Sequence, residues 1–247
     1  MLRKGESDGK GRRRRARRNR MEEKIKMSHN IAIDGPAGAG KSTIARKIAG
    51  KLNYIYVDTG AMYRAMALFL LREGVKPEQT TEIDKKCEEA DITIRYENGE
   101  QVVLLNGENV NGLIRTEEVG NMASASSVNA NVRAKLVRLQ QALAEKENVV
   151  MDGRDIGTCV LPNAEVKVYL TASTQVRAKR RYDELKAKGT ACDLAEIEAD
   201  IKDRDHRDMT REISPLRKAA DAVLIDSSDM SIEEAVDAVI GLCKGER

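Results

Sequence analysis

Residues 31–43 read IAIDGPAGAGKST. Three apolar residues run into an aspartate, and Gly35 to Ser42 then fit the phosphate-binding pattern G-x-x-x-x-G-K-[ST]. The apolar run reads as a short buried strand, and Lys41 to about Leu52 reads as a helix. Between them, the loop Gly35, Pro36, Ala37, Gly38, Ala39, Gly40 is expected to close its backbone N–H groups around a phosphate, at the positive end of the helix. Lys41 is placed to reach the β- and γ-phosphates and Ser42 to offer a hydroxyl to Mg²⁺, with Thr43 beside it in the same nucleotide-binding segment. The pattern alone leaves open whether the phosphoryl group goes to water, to a protein or to a small molecule.

Working outward, strand and helix keep alternating. YIYVD at 54–58 is a second strand, and TGAMYRAMALFLLREG at 59–74 reads as a helix with Gly74 as its stop. This order predicts an α/β fold, a parallel sheet with helices on both faces. The rhythm breaks at 91–115, where apolar and polar residues alternate and Asn-Gly pairs stand at 98–99 and 106–107. Both residues of such a pair tolerate positive φ, so a small antiparallel sheet is expected as an insert. A long helical region is expected over 116–146. NVVMDG (148–153), AEVKVYL (164–170) and DAVLIDS (221–227) follow as strands, with charged helices at about 173–187 and 193–209. A last helix, 231–243, opens at Ser231 with Glu233 and Glu234 in its first turn.

The chain has 247 residues, 41% of them hydrophobic, with one Phe and no Trp. Aliphatic side chains and Met must therefore build the core. No apolar run approaches the ~18 residues of a membrane span, and the basic start lacks the apolar stretch of a signal peptide. Cys87, Cys159, Cys192 and Cys243 form no C-x-x-C pair, and His29 and His206 are the only histidines, which argues against zinc. Scattered cysteines of this kind suit a reducing, cytoplasmic setting. Residues 1–30 hold 12 Lys/Arg and 4 Asp/Glu, a balance of +8, which leaves 31 and 36, or −5, in residues 31–247. The run GRRRRARRNR at 11–20 reads either as an arm for nucleic-acid phosphates or as a disordered, like-charged tail or upstream extension of the coding start. It has no interleaved aromatics, so only non-specific nucleic-acid contact is expected of it.

Three further stretches carry chemistry. In DTGAMYR (58–64), Thr59 and Gly60 open a helix whose free N–H groups suit a second anion, with Tyr63 and Arg64 one turn on. Arg64 carries a guanidinium fork matched to phosphate. In VVMDGRD (149–155), Asp152 at a strand end fits the carboxylate that holds Mg²⁺ in P-loop enzymes, and Arg154 and Asp155 follow at the carboxyl edge of the sheet, where ligands of open α/β folds bind. Arg177, Arg180 and Arg181 lie at i, i+3 and i+4 on one helix face, and Arg204, Asp208 and Arg211 repeat at i, i+4, i+7. Two such helices joined by KAKGTACD would make a cationic, water-excluding lid.

Together IAIDGPAGAGKST, DTGAMYRA, LNGENVNGLIRT, MDGRDIGT and IKDRDHRD resemble the bacterial cytidylate kinases, from about Ile31 to the C-terminus. The resemblance implies a P-loop nucleoside monophosphate kinase fold: a five-stranded parallel sheet with helices on both faces, an antiparallel monophosphate-binding insert at about 91–115 and a helical lid at about 173–211. The kinase domain would span 27–247 behind a basic extension, 1–26. It implies transfer of the γ-phosphoryl of ATP, with Mg²⁺, to CMP or dCMP, by a monomer. It places Thr59, Tyr63 and Arg64 near the acceptor phosphate, Arg154 on that phosphate and Asp155 on the cytosine. Ser124 and Arg133 match base-reading positions, Arg204 and Asp208 positions near the ribose, and Arg211 one near the phosphates. Lys41, Arg154, Arg181 and Arg211 are the expected catalytic cations, and Arg177 and Arg180 face ATP. Another P-loop small-molecule kinase, and a nucleic-acid-binding protein with a regulatory nucleotide site, stay as alternatives.

Overall fold

A computed structural model describes residues 29–97 and 99–245. The basic segment 1–26 and the first residue of the Asn98-Gly99 pair lie outside the described residues. Five strands, β1 (Asn30–Asp34), β2 (Ile55–Asp58), β6 (Val149–Gly153), β7 (Val166–Thr171) and β8 (Val223–Asp226), form one sheet in the order β2-β6-β1-β7-β8. All its pairings are parallel. A parallel sheet is covered on both faces, so its strands read as continuous apolar runs.

Side chains alternate across β1. Ile31 and Ile33 enter a core with helices α1 (Lys41–Leu52) and α8 (Ile232–Cys243), through Ile44, Ile48, Val236 and Val239. Ala32 faces the other core, built by Met62, Met66 and Leu70 of α2 (Thr59–Arg72) and by Met122 and Leu136. Those two come from α4 (Glu117–Ser126) and α5 (Ala130–Ala144). The single Phe, Phe69, is buried in this second core. Methionine fills the space that large aromatics leave.

The insert is a three-stranded antiparallel sheet, β3 (Ile92–Glu97), β4 (Glu100–Leu105) and β5 (Glu108–Asn109). Asn106 (φ 49°) and Gly107 (φ 83°) make the tight turn between its last two strands. Ile92, Val103 and Leu105 bury the insert against the second core.

Two local expectations change. The region 116–146 is two helices, because the Asn129 side chain accepts from the N–H groups of Asn131 and Val132 and starts a new helix there. The helix from Thr59 ends at Arg72, and Gly74 (φ 69°) closes it with Val75 N–H bonded to Leu70 O at 2.9 Å. Three elements had no sequence expectation: α3 (Thr80–Lys86), the 3₁₀ turn Cys87–Glu89 and a single π turn, Ile156–Val160.

The charged helices α6 (Thr174–Ala187) and α7 (Leu194–Thr210) bury little. Arg177 and Ala178 are the buried residues of the first, Ile201 and Asp208 those of the second. Elements with so few apolar contacts sit at the low end of local stability. Met66 is 0% exposed and Leu194 is 40% exposed. Met66→Ala should therefore cost about 2–5 kcal/mol in denaturant unfolding, and Leu194→Ala less than about 0.5 kcal/mol. Equal losses would show that α6 and α7 share the core's packing.

Candidate active site

The glycine loop takes its shape from backbone torsions that side chains rarely adopt. Gly35, Gly38 and Gly40 have φ of 152°, 76° and 87°. A Cβ on Gly35 would lie 1.9 Å from the Leu170 carbonyl oxygen of the neighbouring strand. Gly40 caps α1 without a side-chain acceptor, and the first turn holds no acid, so the helix's free N–H groups and positive end remain for an anion.

Lys41 is buried and folds back to donate to Pro36 O at 2.7 Å. Burial, with the Arg154 charge, pushes its ammonium down to about 7, against the pull of Asp152 and Asp34. Ser42 Oγ donates to Asp152 Oδ2 at 2.9 Å, and Tyr56 OH donates to Asp152 Oδ1 at 2.8 Å. Burial and then the Asp58 charge push Asp152 up to about 6. Among the described residues no group of three His, Cys, Asp or Glu is placed to hold a metal. The hydroxyl and carboxylate of Ser42 and Asp152 fit Mg²⁺, which takes its remaining ligands from phosphate and water.

Beyond the loop lies a cavity of about 270 Å³. All ten expected acceptor residues line it: Thr59, Tyr63, Arg64, Ser124, Arg133, Arg154, Asp155, Arg204, Asp208 and Arg211. The strand ends and helix starts bring them there. Thr59 Oγ1 donates to the Asp152 carbonyl at 2.7 Å, which fixes the start of α2 against β6. Arg133 and Asp155 form a buried ion pair, and Arg133 Nη1 donates to Tyr63 OH at 3.2 Å. Burial pushes Tyr63 up to about 12. Arg154 Nε donates to Asp208 Oδ2 at 2.7 Å. Burial works to raise Asp208, but the Arg154 guanidinium beside it wins and holds it below the usual carboxylate range.

Six cations (Lys41 and five arginines) face four carboxylates (Asp58, Asp152, Asp155, Asp208) around this cavity. The Arg64, Arg204 and Arg211 guanidiniums are all pushed down, first by burial. Arg204 Nε and Arg211 Nη2 are buried without a hydrogen-bond partner. Buried donors left in this way call for an acceptor. An excess of cations with free donors suits an anionic ligand.

On the other side of the loop is a cavity of about 590 Å³, lined by Gly38 to Ile44, the arginines of α6, Ser227 and Ile232. Here the three arginines of α6 part company. Arg177 turns inward, donating to the Ala37 and Ala172 carbonyls at 3.0 and 2.9 Å and pairing with Asp205 at 2.6 Å. It braces the phosphate loop from behind. Arg180 Nη2 donates to Ser227 O at 2.7 Å. Arg181 is exposed, pairs with Glu184 at 2.9 Å and does not line the acceptor cavity.

Sequence reasoning missed Asp34, Gln101 and Arg115, and gave Asp58 no role. Gln101 accepts from Asp58 N–H at 2.8 Å and donates to Asp58 O at 3.2 Å. Asp58 caps α2 through Ala61 N–H and pairs with Arg115 at 2.7 Å. An Asp before a helix is a readable cap; its partners on the insert are not readable locally.

The protein family described as Cytidylate kinase matches residues 31–245. The curated cytidylate kinase of Caldicellulosiruptor bescii is 52% identical over 213 residues, covering 86% of this chain and 94% of that protein. That of Listeria innocua is 48% identical over 215 residues, covering 87% and 95%.

Gly35→Ala should weaken ATP binding by at least about tenfold, because the added Cβ must displace either the loop or β7. Titration calorimetry with ATP checks it; unchanged affinity would mean that the loop shape at Gly35 does not matter.

Proposed function

Because the chain belongs to the cytidylate kinase family, we propose that it transfers the γ-phosphoryl group of ATP to CMP or dCMP, giving ADP and CDP or dCDP. One observation carries the choice of acceptor: a buried Arg133–Asp155 pair beside Ser124, in the cavity next to the phosphate loop. Cytosine presents an amine donor beside a ring-nitrogen and a carbonyl acceptor. The Asp155 carboxylate accepts from the amine; Arg133 and Ser124 donate to the acceptors. Uracil carries an oxygen where cytosine has the amine, so the carboxylate would face it unpaired, and UMP is disfavoured.

ATP lies along the larger cavity with its phosphates in the glycine loop and Arg180 beside it. Mg²⁺, held by Ser42 and Asp152, would neutralise charge between the β- and γ-phosphates. The acceptor phosphate rests on Arg64 and Arg154 near Thr59 and Tyr63, with Arg204 and Asp208 toward the ribose. Arg154 Nε is taken by Asp208 and Nη1 reaches the Gly153 carbonyl at 3.5 Å, so Nη2 is the nitrogen best placed to meet the phosphate. Lys41 and Arg211 stabilise charge on the moving phosphoryl group. A phosphate oxygen is already nucleophilic, so positioning and charge neutralisation carry the catalysis. Arg177 contributes by bracing the loop, and Arg181 only if the lid moves.

From the family resemblance we read the protein as a monomer. No helix among the described residues is long and apolar enough to cross a membrane. We read residues 173–211 as the lid and 91–115 as the monophosphate insert, with cytoplasmic nucleotide metabolism as the setting.

The test is CMP-dependent formation of ADP from ATP across a panel of acceptors. CMP and dCMP should lead the panel; turnover with a non-nucleotide acceptor and none with CMP would overturn the reading. Asp155→Asn should narrow the ratio of kcat/KM for CMP over UMP by about tenfold, because a carboxamide offers the uracil oxygen a donor. An unchanged ratio would remove Asp155 from base recognition.

A further inference from the structure

Asp34 is the last residue of β1, the one before Gly35, and it is 4% exposed. Asp34 is not itself among the residues that line either cavity described above. Both oxygens are committed across the sheet: Oδ1 accepts from Ile156 N–H and Oδ2 from Gly157 N–H, each at 2.7 Å. Those two N–H groups open the π turn Ile156–Val160. A carboxylate is an acceptor at both oxygens, which suits two converging donors.

The clamp brackets the base-reading loop. Gly153, before Arg154, is paired in register with Asp34 itself. Ile156, after Asp155, has its side chain in the apolar core and its N–H on Asp34. Arg154 and Asp155 are thus the two residues between fixed points; the Asp155 side chain makes no cap bond, while its carbonyl accepts from Cys159 N–H at 2.8 Å. The fit is tight: a Cβ on Gly157 would lie 3.3 Å from Asp34 Oδ2 and 3.2 Å from Lys167 Cδ. One buried side chain therefore ties the start of the phosphate loop to the loop that carries Arg154 and Asp155.

We propose that Asp34 is a positioning residue for acceptor selection: its carboxylate clamps the turn after Asp155 to the strand that launches the phosphate loop. It thereby sets where the base-reading carboxylate stands relative to the transferred phosphoryl group. The inference rests on the role given to Asp155 above.

Asp34→Asn replaces one of the two acceptors by an N–H donor that faces a backbone N–H, so one arm of the clamp is lost. Steady-state kinetics should show the KM for CMP raised about tenfold, the kcat/KM preference for CMP over UMP reduced by a similar factor, and the KM for ATP changed by less than about threefold. Gly157→Ala, which crowds the same carboxylate without removing it, should move the same quantities in the same direction by a smaller factor. It carries the comparison should Asp34→Asn fail to fold. A purely structural role would lower the thermal midpoint of both variants and leave the CMP/UMP preference and KM for CMP where they were; that result overturns the positioning role alone. Wild-type protein that phosphorylates neither CMP nor UMP would overturn the acceptor reading itself, and the role of Asp34 in selection with it.

Discussion

Three neighbouring parallel strands end level, and the rest of the site follows from that. In the register of the sheet Asp58 pairs with Asp152 and Asp34 with Gly153, so β2, β6 and β1 deliver their carboxyl ends to one edge. Adjacent strands lie about 4.8 Å apart. The helix start at Thr59, the Arg154–Asp155 loop and the glycine loop therefore leave the sheet side by side. The two cavities are adjacent because the strands are.

Each strand end carries an aspartate, and the environment gives the three different work. Asp58 caps α2 and is gripped by Gln101 and Arg115 of the insert. Asp152 collects the hydroxyls of Ser42 and Tyr56, an oxygen arrangement that suits a hard cation. Asp34 holds two backbone N–H groups, and burial still pushes it up to about 6. The Asp58 charge helps burial to raise Asp152, and Lys41 is the counterweight. The cations outnumber the carboxylates around the cavity beyond the loop, so an anionic ligand suits the charge balance that its lining leaves open.

What could be read in the sequence was what local chemistry writes there. The glycine loop, the five parallel strands and the insert's Asn106-Gly107 turn have short-range signatures, and they appear at the expected places. The break at Asn129 was readable in principle, since an Asn that caps a helix interrupts the helical region there. The acceptor residues came by resemblance, not by spacing: Tyr63 and Arg133 lie 70 residues apart and meet only in the fold. Asp34 was invisible for the same reason, its partners being 122 and 123 residues away. The arginines of α6 show the limit of periodicity. It put three on one face, but a half-buried Asp205 on the facing helix draws Arg177 inward and leaves Arg181 in solvent.

We propose that the arginines of α7 and of the sheet edge form one site, shared by two nucleotides and drawn together by their phosphates. Without ligand these like charges would repel, which would favour an open arrangement of α6 and α7. Hydrogen exchange over residues 173–211 tests this most directly, compared for ATP alone, CMP alone and a bisubstrate ligand joining adenosine and cytidine through five phosphates. The bridging ligand should slow exchange in this segment more than either nucleotide does. Exchange there that is indifferent to the bridging ligand would contradict it and leave the segment as a static charged surface.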